Sequence, residues 1–135
     1  MNINDINSVE IIMQNATLAS AEFSQLNQEQ TDKIVRAVTE AAFANRVKLA
    51  KMANEETGIG KWEDKVLKNI VASQFVYDDI KDEKTVGIIS ENKLTGITEI
   101  AQPLGPILAI IPVTNPTSTT IFKILISLKT RNPII

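Results

Sequence analysis

All five prolines of this 135-residue chain, and three of its five glycines, fall after residue 85; the first 85 residues hold only Gly58, Gly60 and no proline. Proline removes a backbone donor and glycine loosens the backbone. A stretch nearly free of both favours long helices, and a stretch dense in both favours strands and turns. The charge shifts at the same place. Residues 1–85 carry 10 Lys/Arg against 14 Asp/Glu, and residues 86–135 carry 4 against 2. The expected fold class is α/β, with an N-terminal helical layer (1–84), a small antiparallel strand pair (85–102) and the first, incomplete β-α-β unit of a parallel sheet (103–135).

Periodicity fills in the helical part. Val9, Ile12, Met13, Ala16, Ala19 and Phe23 recur at helical spacing, which predicts a helix over about 8–23. Asn27 with Gln30 three residues later has the form of a capping box, opening a second helix. Ile34, Val35, Val38, Ala41, Ala42 and Leu49 carry that helix on to the glycines at 58 and 60. A third helix is expected over 61–80, with Val66, Leu67, Ile70, Val71, Gln74, Val76 and Tyr77 along it. Trp62 and Tyr77 are expected on the core or its rim. Glu55-Glu56 and Asp78-Asp79 are expected to be solvated, because adjacent helical residues point different ways.

The second part reads as extended. β-Branched runs at 85–90 and 97–102, joined by 91–96, predict two antiparallel strands. Pro103 to Pro106 is a turn. Ile107-Leu108-Ala109-Ile110-Ile111 is apolar without alternation, which predicts a strand buried on both faces. A polar loop, 112–116, leads to a helix ending near Lys129, with Thr117 or Ser118 as its expected cap and Ile121, Phe122, Ile124, Leu125 and Leu128 inward. Asn132 to Ile135 begins a further strand, with Pro133 at a position where proline is tolerated. A unit that stops inside its second strand is expected to belong to a larger sheet.

Several function classes are excluded. The chain has no Cys and no His, so its own residues supply no thiolate nucleophile, no His-based triad and no Cys- or His-ligated metal. A net charge of -2 argues against nucleic-acid binding through bulk positive charge. The longest apolar run, 107–113, is far short of the roughly 20 residues that span a membrane. The first ten residues hold Asp5 and Glu10 and no basic group, so no secretory leader is expected there.

The chemistry-bearing residues sit in the loop between the predicted strand and helix. Ligands of open α/β sheets bind where a strand ends, and a helix N-terminus offers free N–H groups to an anion or a developing oxyanion. Thr114, Asn115, Thr117, Ser118, Thr119 and Thr120 supply hydroxyls and an amide there. On general physics alone, the same residues read first as a polar N-cap on an amphipathic helix.

The stretch PLGPILAIIPVTNPTSTTIFKILISLKTRN (103–132) resembles the first Rossmann unit of the aldehyde dehydrogenase superfamily. IIPVTNPTSTTIFK…SLKTRN is most similar to the CoA-acylating branch, above all the aldehyde dehydrogenase half of bifunctional aldehyde–alcohol dehydrogenases. ETGIGKWEDKVLKN (56–69) and KDEKTVGIIS (81–90) fit the same family in order and spacing. The resemblance implies a cytoplasmic, homo-oligomeric enzyme of fermentative alcohol metabolism. It would oxidise an aldehyde, acetaldehyde above all, with NAD through a cysteine thiohemiacetal and pass the acyl group to CoA, reversibly. It implies that Ile111, Pro112, Val113 and Thr114 border the nicotinamide end of NAD, that residues 86–101 belong to the oligomerisation strands, and that the oxyanion-stabilising amide is Asn115. Thr114 takes that place if the alignment is counted back without gaps from Lys123. It implies too that the nucleophilic Cys lies well beyond residue 135, so the chain alone is expected to be inactive. The competing expectation is a non-catalytic remnant or an assembly module derived from the same family.

Overall fold

The computed structural model describes residues 3–135, with side chains from Asn7 onward. Six helices and one hairpin follow in order: α1 (Ile3–Phe23), α2 (Gln28–Ala44), α3 (Arg46–Thr57), α4 (Trp62–Ile70), a π turn (Val71–Phe75), α5 (Val76–Ile80), β1 (Gly87–Asn92), β2 (Ile97–Ala101) and α6 (Pro116–Lys129).

The capping box is formed: Asn27 Oδ1 accepts from the Gln30 N–H at 2.9 Å, and Gln30 Oε1 accepts from the Asn27 N–H at 3.0 Å. Both bonds satisfy orphan donors of α2. Asn27→Ala is expected to cost about 0.5–2 kcal/mol, read as a lowered melting midpoint. An unchanged midpoint would mean that tertiary contacts hold the first turn of α2 unaided.

The expected single helix from Asn27 to Gly58 is divided at Asn45. Its side-chain amide donates to the Ala41 carbonyl at 2.9 Å, beside its own N–H on the same oxygen at 3.2 Å. An Asn side chain competing for a helix carbonyl ends the turn. Gly58 terminates α3 at φ 64, a left-handed conformation that glycine adopts without strain. The third expected helix is continuous over Trp62–Ile80 but contains the π turn. There the Ser73 hydroxyl donates to the Asn69 carbonyl at 2.6 Å.

The core lies between α2, the α4–π–α5 stretch and α6. Val35, Ala72, Ile121 and Leu125 are buried together, and Val38, Ala42, Leu49, Val76, Tyr77, Ile80 and Leu128 pack around them. Lys129, 3% exposed, is held among these helices by Asp32 Oδ1 at 2.7 Å and the Lys81 carbonyl at 2.9 Å. Tyr77 and Trp62 are half-buried, as expected of rim residues, with Lys51 over the Trp62 ring. Phe122, expected inward, is 42% exposed, and along the third expected helix Leu67 and Val71 are 62% and 49% exposed. The α4–π stretch buries Lys65, Asn69, Ala72 and Ser73 instead. On α1, Val9, Ile12 and Met13 are exposed and Ala16 is buried.

β1 and β2 pair antiparallel, with a register shift between Ile88 and Ser90. Their reversal is an Asx turn in which Asn92 Oδ1 accepts from the Leu94 and Thr95 N–H groups. Residues 107–111 differ from the expected strand: only Ile107 lies in a β-bridge, Leu108 and Ile110 are 74% and 77% exposed, and Ile107 and Ala109 are half-buried. A strand buried on both faces needs a layer on each. Among the described residues this one has a single strand partner. It bridges in parallel to Ile134, through Ile107 N–H to the Pro133 carbonyl, Ile135 N–H to the Ile107 carbonyl and Ala109 N–H to the Ile135 carbonyl. Pro133 enters this pairing through its carbonyl, so its missing N–H costs nothing.

Candidate active-site loop

Two anchors position the loop at 112–115. Buried Asn132 accepts from the Leu104 and Gly105 N–H groups at 2.7 and 3.0 Å, fixing the turn before the extended segment. Lys123, on α6, donates to the Ile110 carbonyl at 2.6 Å.

Asn115 is the residue capping α6, and Pro116 occupies the first helical position. Thr117 and Ser118 are not the cap. Thr117 donates instead to Asn69 Oδ1 at 2.9 Å, while Asn69 Nδ2 donates to the Arg46 carbonyl at 2.9 Å. Fully buried Asn69 thereby joins the starts of α3 and α6.

Two lysines of α4 reach the loop. Lys65 Nζ donates to the Thr114 carbonyl at 3.0 Å, and Lys68 Nζ donates to Asn115 Oδ1 at 2.8 Å. Asn115 Nδ2 makes one long contact, 3.5 Å, to Thr114 Oγ1. Asn115 stands where two hollows meet. One is a groove of about 520 Å³ between the α4–α5 stretch and α6, with an apolar floor of Leu67, Val71, Ala72, Val76 and Phe122. The other is a smaller hollow of about 140 Å³ beside Gly60, Lys61 and Asp64. An amide at such a boundary can donate to a carbonyl whose apolar substituent lies in the groove.

Ile111 and Val113 are 36% and 61% exposed, and Pro112 and Thr114 are exposed beside them. The expected site residues are thus contiguous, with Asn115 and Thr114 adjacent. Sequence reasoning missed Lys65, Lys68 and Asn69. The signal for Lys65 and Asn69 is the polar spacing 65, 69, 73 on a helix, which ordinarily marks a solvated face; Lys68 lies outside that row.

Resolved pKa shifts lie on exposed helix pairs. The Asp78 carboxyl is held below its ordinary value by the Gln74 and Lys81 hydrogen bonds, and Glu29 by Lys33. Among the described residues, no group of three or more His, Cys, Asp or Glu could hold a metal ion, and no helix is long and apolar enough to cross a membrane.

Residues 3–135 match the aldehyde dehydrogenase family. The chain belongs to that family. It is 58% identical over 116 residues to the aldehyde-alcohol dehydrogenase of Clostridium acetobutylicum, covering 86% of this chain and 14% of that one. It is 49% identical over 135 residues to the bifunctional aldehyde-alcohol dehydrogenase of Escherichia coli, covering 100% of this chain and 15% of that one. An acetylating aldehyde dehydrogenase from Geobacillus thermoglucosidasius superposes with a TM-score of 0.94 at 47% identity, over 98% of this chain and 29% of that one. The fold of this aldehyde dehydrogenase segment is therefore that of the corresponding part of an acetylating enzyme: N-terminal helices, an antiparallel strand pair and the start of a parallel β-α-β unit.

Proposed function

We propose that this chain is the N-terminal part of an NAD-dependent acylating aldehyde dehydrogenase. The reaction is aldehyde + CoA + NAD to acyl-CoA + NADH, reversible, with acetaldehyde and acetyl-CoA as the preferred pair. The observation that carries the reading is the 49% identity to the bifunctional E. coli enzyme along all 135 residues, joined to an amide donor at Asn115 between an apolar groove and an exposed loop.

The residues at 111–114 suit one face of a nicotinamide ring, being exposed, mostly apolar and flanked by backbone amides. Bound NAD would accept a hydride from the substrate carbon. This chain's own part is to orient. Ile111, Pro112, Val113 and Thr114 would border the ring, and Asn115 would donate to the substrate oxygen while that oxygen carries negative charge. Thr114, with its hydroxyl, is the alternative donor. The chain holds no Cys, so the nucleophile and the CoA thiol must meet the substrate from elsewhere in the complete protein. The same reading carries with it a cytoplasmic homo-oligomer, with the exposed β1–β2 hairpin as a subunit contact.

The test is a chimera in which this chain replaces the matching N-terminal segment of the E. coli enzyme. CoA-dependent NADH formation from acetaldehyde is expected to persist in the chimera and to be absent from the purified 135-residue chain. A folded chimera without turnover, or turnover by the isolated chain, overturns the proposal.

A further inference from the structure

We infer that Lys68 is a positioning residue for Asn115, holding its amide in the direction in which it donates to the reacting oxygen. The inference rests on the proposed role of Asn115. An Asn at a helix N-cap ordinarily turns its side-chain oxygen back onto the first free N–H groups of the helix. Asn115 does not: at φ -140 and ψ 59 it makes no side-chain cap bond, and its Oδ1 is taken by Lys68 Nζ at 2.8 Å. A planar amide fixed at its oxygen is fixed at its nitrogen too. Nδ2 is left with one long contact, 3.5 Å to Thr114 Oγ1, and stands at the border of the two hollows.

Lys65, one helical turn earlier and 5% exposed, holds the Thr114 carbonyl at 3.0 Å. The two lysines therefore clamp the loop at successive residues, one on the backbone and one on the side chain. Neither forms an ion pair with a carboxylate among the described residues. No carboxylate within ion-pair distance competes with the amide oxygen for the Lys68 ammonium. A cation on the oxygen draws electron density from the nitrogen, which makes the N–H a stronger donor. Lys68 also works against helix capping, since a released Asn115 could satisfy an orphan donor of α6. Losing Lys68 should therefore impair turnover without loosening the fold.

In the chimera, Lys68→Met keeps most of the apolar stem and removes the charge. It is expected to lower kcat about 10-fold, within the up to 10² that misplacing a reacting group costs. KM for NAD and the melting midpoint should not fall, and Lys68→Arg should retain most of the turnover. In an Asn115→Ala background, Lys68→Met should cost nothing further. In the 135-residue chain itself, the Asn115 side-chain NH₂ signals should show greater motion by ¹⁵N relaxation after Lys68→Met. If Asn115→Ala lowers kcat and Lys68→Met does not, the inference fails and the role of Asn115 stands. If neither lowers kcat, the role of Asn115 fails and takes the inference with it. Unchanged relaxation of the Asn115 amide also overturns the inference.

Discussion

Asn115→Ala, introduced into the chimera, is expected to lower kcat by about 10²–10³, roughly 3–4 kcal/mol of transition-state stabilisation, which is the usual cost of one oxyanion donor. The substrate carbonyl becomes tetrahedral when a thiolate adds to it, and its oxygen then carries charge that must be met by aimed donors. Asn115 has an amide N–H₂ whose direction is set by the 2.8 Å bond that Lys68 donates to Oδ1. Thr114 is adjacent, but its Oγ1 already faces the Asn115 amide, and its hydroxyl can rotate away. Thr114→Val is therefore expected to cost clearly less. NAD binding should be nearly unchanged by Asn115→Ala, because the residues proposed to border the nicotinamide are 111–114. If Thr114→Val proves the more damaging change, the gapless alignment counted from Lys123 is right and Thr114 is the donor.

The sequence was informative where one residue settles local geometry and misleading where burial depends on what packs alongside. Asn27 and Gln30 form their capping box because both partners lie within one turn. The strand pair and the end of α6 at Lys129 fall close to where β-branched runs and apolar spacing put them. The break at Asn45 was legible in principle, since an Asn amide competing for a carbonyl is a local event. The faces of α4 were not. Leu67 and Val71 look inward by hydropathy, yet they line the open groove, while Lys65, Asn69 and Ser73 turn inward because each finds a backbone or side-chain partner there. A hydropathy pattern counts apolar groups and has no entry for a carbonyl 49 residues away. The exposure of Leu108 and Ile110 has the same origin: an unbroken apolar run announces a need for two covering layers, and does not supply them. The roles expected of Thr114 and Asn115 came from resemblance, whereas the lysine contacts to them are visible only in three dimensions.

Leu125→Ala is expected to destabilise the chain by about 2–5 kcal/mol, the range for truncating a buried leucine. Leu125 is fully buried and lies against Val35, Ala72 and Ile121, where α2, the π turn and α6 meet. The loss combines the transfer of three carbons with a cavity that three helices cannot easily close. Few large apolar side chains share that burden: among the described residues Val35, Ile121 and Leu125 are the buried ones larger than alanine. For a chain of this size, roughly 3–5 °C of melting midpoint per kcal/mol makes the drop about 6–25 °C. Leu94→Ala and Leu104→Ala remove the same carbons from positions 100% and 89% exposed, and each should stay within about 0.5 kcal/mol. If Leu94→Ala melts as early as Leu125→Ala, burial in this core is not what sets stability. The same substitution separates fold from chemistry. Leu125 sits ten residues along α6 from Asn115, about 15 Å of helix rise, and reaches the groove only from behind its floor, through Ala72. In the chimera, Leu125→Ala should therefore reduce the amount of folded enzyme while leaving kcat per folded site unchanged, the reverse of what Asn115→Ala should do.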